Sequence, residues 1–207
     1  MNRILHFLFS FLFLGLICAN NLHAQEVSGC INGHDYVDLG LSVKWATCNV
    51  GANSPSDYGS YYAWGETSTK STYTEKNSKT YGKKKMVDIK GDSRHDAARA
   101  NWGGSWRLPT REEMQELVDK CTWTWTTQGG HSGYKVTGPN GNSIFFPTAG
   151  FRSDERLFHA NLVGDYWSSI PSGKASAYGM RIHEEGTGHW VDWLYRDDGR
   201  SIRPVTE

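Results

Sequence analysis

The side chains able to do chemistry are spaced badly for it. His34, His95, His131, His159, His183 and His189 form no His-Glu-x-x-His, and no Cys-x-x-Cys occurs, so transition-metal ligation lacks its ligand spacing. His183 and His189 lie at the ends of neighbouring strands and could face each other. Asp197-Asp198-Gly199 reads as a tight turn, because the other alternating ligands of a calcium loop are missing. There is no Gly-x-Ser-x-Gly, and Ser168 and Ser169 sit in a strand pattern that turns one inward and one outward. Aspartates and glutamates are scattered, with no pair of the kind glycoside hydrolysis uses. Neither an enzyme, a cofactor nor a metal is expected.

Recognition remains. His189-Trp190-Val191-Asp192-Trp193-Leu194-Tyr195 alternates by residue type. One strand face carries His189, Val191, Trp193 and Tyr195, and the other carries Trp190, Asp192 and Leu194. Exposed Trp, Tyr and Arg make good contact surfaces because they combine large area with polar handles. The candidate ligand-binding residues are Trp190, Asp192, Trp193, Tyr195 and Arg196, with Tyr178, Arg181 and His183 as neighbours; Trp190 or Trp193 would be the anchor. The alternative is that these aromatics fill a small, loop-rich core.

Elements must position such a surface. Thr110-x-x-Glu113 is a capping box opening a helix over Thr110–Lys120, with Met114, Leu117, Val118 and Cys121 on one apolar face. Pro109 makes the chain enter that helix extended. Asp92 or Ser93 can cap a shorter helix through Ala97 and Ala98 that ends before Gly103-Gly104. Strand patterns occur at Tyr134–Thr137, Ser143–Phe146, Tyr166–Ile170, Ala177–His183, His189–Tyr195 and Ser201–Val205, with Asn-Gly and Asp-Gly turn signals between them. Nearer the N-terminus, Asp35–Val50 alternates around Gly40, Tyr61–Trp64 is a short aromatic strand, and Thr67–Gly91 is a long polar loop. The class expected is α+β: two helices, short antiparallel strands and long loops.

The chain resembles the secreted Fibrobacter succinogenes major paralogous domain family. The matching segments are Tyr36–Ala52, Tyr61–Glu66, Asp96–Thr110, Cys121–Thr126, Asn142–Gly150, Tyr166–Ser169 and Arg200–Val205, distributed along residues 35–205 in family order. Trp106-Arg107-Leu108-Pro109-Thr110 also resembles the helix start of the formylglycine-generating-enzyme-like branch of the C-type lectin fold. The resemblance implies a C-type lectin-like domain over residues 35–207 whose ligand-facing residues come from the C-terminal third. It does not imply formylglycine chemistry, since no cysteine lies beyond Cys121, nor calcium-dependent sugar binding, since the Glu-Pro-Asn and Gln-Pro-Asp tripeptides are absent. Cys48 and Cys121 lie in matching segments, so a Cys48–Cys121 disulfide with Cys30 free is favoured over three unpaired thiols.

Residues 1–24 read as a secretory signal: Arg3, then the apolar run Ile4–Ala19, then a small-residue site at Leu22-His23-Ala24. Lipidation at Cys18 is disfavoured by Ile17, which stands where a small residue is needed. Residues 25–34 form a lead-in, and the length of residues 35–207 suits one domain. The formal net charge is +0, with Lys83-Lys84-Lys85 the only basic run, so no nucleic-acid partner is expected. Membrane contact is expected only through the signal peptide or lipidation. Together these point to a secreted or cell-envelope binding module, periplasmic or on the outer surface, whose ligand is a surface glycan or protein. A structural or assembly module of the envelope is the second expectation, and an uncharacterised enzyme the last.

Overall fold

The computed structural model describes residues 27–83 and 86–207. The signal peptide with Cys18, the first two residues of the lead-in, and Lys84 and Lys85 lie outside the described residues.

Among the described residues, four small antiparallel sheets carry the fold. The first has the order β1-β2-β3-β12 and joins β1 (Gly29–Ile31), β2 (His34–Val37), β3 (Lys44–Ala46) and β12 (Val205–Thr206). Gly29 pairs with Tyr36, so the domain boundary expected at residue 35 falls inside a hairpin and the lead-in belongs to this sheet. The second is the meander β4 (Thr122–Gln128), β5 (His131–Thr137) and β6 (Ser143–Pro147). The third is a two-stranded ribbon of β7 (Phe151–Ser153) and β8 (Arg156–Phe158). The last sheet has the order β11-β10-β9, from β9 (Val163–Pro171), β10 (Ser176–His183) and β11 (His189–Tyr195).

Two helices pack between them: α1 (Ala97–Trp102) and α2 (Arg111–Lys120). The Thr110 capping box forms as its sequence requires, with the Glu113 amide donating to the Thr110 hydroxyl and the Thr110 amide donating to Glu113. Arg107 holds the same Glu113 at 2.7 Å and Glu207 at 2.8 Å, which fastens the helix start to the end of the chain. Met114 and Leu117 are buried against β9, β10 and the central meander. The cap of α1 is Asp96, a few residues later than expected, and its carboxylate also takes the amides of Gly91 and Leu108.

The class corrects the α+β, C-type lectin-like expectation. Strand and bridge residues make up 39% of the described chain and helix only 11%, so the architecture is sheet-rich. The helices are six and ten residues long, too short to form a layer. The Thr/Trp alternation after α2, part of no expected strand, is a seven-residue strand.

The long polar segment Thr67–Gly91 holds a 3-10 turn, Glu75–Asn77, with its own capping box from Thr74. Tyr73, Thr80 and Ile89 anchor it by being buried. The closing segment pairs as a strand only at Val205–Thr206 and otherwise runs through the interior. There Arg203, fully buried, donates to Asn49 Oδ1 and to the carbonyls of Ala46, Thr47 and Phe145 at 2.8–3.1 Å.

The Cys48–Cys121 disulfide does not form: Cys30, Cys48 and Cys121 are all free thiols. Cys48 lies just past β3 in a shallow cleft with His34 and Trp102, whereas Cys121 caps the far end of α2 and packs on the core beneath the meander.

Candidate functional site

The β10–β11 hairpin is the regular platform of the candidate site. Seven residue pairs stay in register from Ser176↔Tyr195 to Ile182↔His189, and β11 is the outer strand of its sheet. Alternation then assigns every side chain on it to one of two faces.

The face toward α2 carries Tyr178, Trp193 and Tyr195, together with Val191 and His189. The opposite face carries Arg181, His183, Trp190 and Asp192, with Arg181 paired to Trp190 and Gly179 to Asp192. The sheet therefore divides the expected constellation, and Trp190 and Trp193 cannot serve one ligand together. His183 stacks on Trp190 at 4.9 Å, while His189 stacks on Trp123 at 4.1 Å. The two histidines point away from each other, which removes the shared site their spacing suggested.

On the Trp190 face Asp192 makes no ion pair among the described residues and accepts from the Trp193 amide, while the remaining carboxylates are paired. Arg181 grips the fully buried Asp165 through two bonds of 2.9 and 3.2 Å. Arg200 reaches the same carboxylate and holds Asp198 at 2.7 Å. Burial, and then the Arg181 charge, push the His183 imidazole below its ordinary value. Ions neutralised this thoroughly are a framework feature and leave little for a ligand.

Arg196 has left the surface altogether, at 0% exposure. Its guanidinium lies 4.3 Å over the Trp64 ring and donates to the carbonyls of Ser176 (2.8 Å), Gly173 (2.7 Å) and Thr80 (3.3 Å). It ties β10, the turn before it and the long polar segment together.

The other face stays open. Trp193 is 50% and Tyr195 51% exposed, and their rings meet edge to face at 5.4 Å. Tyr178 is the cross-strand neighbour of Trp193, and the Arg111 guanidinium sits 4.4 Å over the Tyr178 ring. Arg111 was missed from the sequence; its signal was its place as first residue of the capped helix that crosses this face. The patch combines two aromatic side chains, a phenol and a cation on rigid elements. Such side chains are suited to contact.

No protein-family model, no curated protein and no solved structure matches this chain. No helix among the described residues is long and apolar enough to cross a membrane.

Proposed function

We propose that the protein is a secreted or cell-surface binding module that holds a surface glycan or protein on the Trp193–Tyr195 patch and carries out no catalysis. One observation carries this reading: two large aromatics stand half-exposed and touching on a regular outer strand. Half of a side chain that buries about 200 Å² is about 100 Å², worth about 2–3 kcal/mol when a partner covers it. Two such side chains touching on one rigid strand, with polar handles beside them, support a contact surface. The apolar leader and the family resemblance support a location outside the cytoplasm. Tyr178 and Arg111 complete the patch, and Trp190, Arg181, His183 and Arg196 are left out of it.

A glycan array and an envelope-extract pull-down, each run with the wild-type chain and with W193A/Y195A, test the proposal. The double variant is expected to keep the fold and lose the captured ligand. Equal capture by the two proteins sinks the patch as the site.

A further inference from the structure

A second aromatic site lies at the other end of the hairpin, and the patch at Trp193 takes no part in it. Trp123 and Trp125 are two apart on β4, so both project to one side, and Tyr134 pairs directly opposite Trp125. The Tyr134 ring stands nearly perpendicular to both indoles, at 5.0 Å from Trp125 and 5.7 Å from Trp123. His189 stacks flat on Trp123 at 4.1 Å and so covers one face of that indole, and Tyr134 is only 5% exposed. The loop between β10 and β11 hangs over these rings with Glu185, Gly186 and Gly188, leaving a cleft of about 300 Å³.

The charge pattern in this cleft is one-sided. Glu185 is its only carboxylate, no lysine or arginine lines it, and Glu185 makes no ion pair among the described residues. Burial, and then the Glu185 charge, push the Tyr134 phenol up. Burial keeps His189 below its ordinary value and so favours its neutral form. Aromatic faces are the negative pole of the ring quadrupole. Rings crossing at right angles, with a carboxylate and no resident cation, make a space where positive charge is favoured.

The geometry points to a binding site for a methylated ammonium group, held against Trp125 beside Tyr134 with Glu185 as its counter-charge. A quaternary ammonium fits better than a primary one, because it gives up little hydration on entering an aromatic lining and needs no hydrogen-bond acceptors. The cleft offers one carboxylate and otherwise rings, which suits a choline-type group better than a sugar with many hydroxyls to satisfy. The group could come from free choline or from a phosphatidylcholine headgroup.

Calorimetric titration of the full chain with choline chloride, tetramethylammonium chloride and the uncharged isostere 3,3-dimethylbutanol tests the assignment. Both cations are expected to bind saturably, and the isostere at least about tenfold more weakly. E185Q lies on an exposed loop and keeps the fold, and it is expected to weaken choline binding about tenfold. W125L is expected to weaken it about 10- to 30-fold, with thermal melting used to confirm folding. W193A/Y195A should bind choline like wild type, which separates this site from the contact patch. Co-sedimentation with phosphatidylcholine vesicles that free choline competes away assigns the headgroup as the source, and choline binding without co-sedimentation assigns the soluble cation. Equal binding of the isostere, or no saturable binding of either cation, overturns the proposal.

Discussion

Replacing Arg196 by Met separates a scaffold role from a ligand role. Met keeps most of the side chain's volume and removes its donors and charge. The Thr80 and Ser176 carbonyls each retain a backbone partner, from the amides of Lys83 at 3.2 Å and Ser172 at 2.9 Å, so neither is orphaned. Gly173 is exposed, and water replaces its bond. The main losses are then one strong charge-assisted bond to Ser176, about 1.5–3 kcal/mol, and the stacking on Trp64, about 1–2 kcal/mol. Against them stands the relief of no longer burying a cation that has no carboxylate partner among the described residues. The net expectation is a loss of about 2–3 kcal/mol. With a urea slope of about 2 kcal/mol per molar, the unfolding midpoint should fall by about 1–1.5 M. Arg196→Lys should recover less than half, since an ammonium cannot span carbonyls from three segments. An Arg196→Met midpoint within about 0.3 M of wild type, coupled with loss of ligand, would refute the reasoning and return Arg196 to the binding surface.

Three other perturbations have defined outcomes. Burial pushes the Cys121 thiol up to about 11, so Cys121 should resist alkylation at pH 8 while the exposed Cys30 reacts, as peptide mapping after iodoacetamide would show. His34, His183 and His189 are all held below the ordinary 6.5 by burial. The unfolded chain therefore takes up protons first, and the melting temperature should fall as pH drops from 7 through 6.5, then level once the folded histidines titrate; the triple His→Gln variant should lose this slope. Gly179→Ala would place a methyl 2.5 Å from both the Tyr166 carbonyl and the Leu194 side chain, at the bulge where β9 meets β10. It should cost about 1–3 kcal/mol in urea unfolding, and a neutral result would mean that the bulge relaxes freely.

What was legible in the sequence was local. The α2 capping box lies within four residues, and the hairpin strands carry a period of two over seven, so both could be read without tertiary knowledge. The same period placed Trp190 and Trp193 on opposite faces, whereas the Thr/Trp alternation of β4 carried the same signal but belonged to no expected strand. Irregular segments have no period to read. Nothing local distinguishes the buried Tyr73, Thr80 and Ile89 from the exposed residues beside them, since their burial depends on what folds over them. Cysteine separation in space is equally non-local, and the expected Cys48–Cys121 pair failed for that reason. Class follows from helix length and not helix number, and helices of six and ten residues cannot form a layer against this much strand.

The burial of the arginines has a common cause. Each buried carbonyl carries two lone pairs, and the one left over after backbone pairing can take a second donor. A guanidinium supplies several donors in one rigid fork, which is how Arg196 and Arg203 each serve three carbonyls, those of Arg203 coming from the consecutive Ala46 and Thr47 and from Phe145. Trp45, Trp64, Trp106 and Trp167 are the largest apolar side chains of the interior, all fully buried and all outside β11. β11 supplies the core with Leu194 and packs Val191 against it, while Trp193 and Tyr195 stay out of it. The exposed half of β11 can change identity at little cost to the fold, whereas Arg196, one residue past its end, cannot. A surface whose residues are that loosely coupled to the core is free to be shaped by what it contacts, and Trp193 and Tyr195 are where that freedom has been used to hold large aromatic area in water.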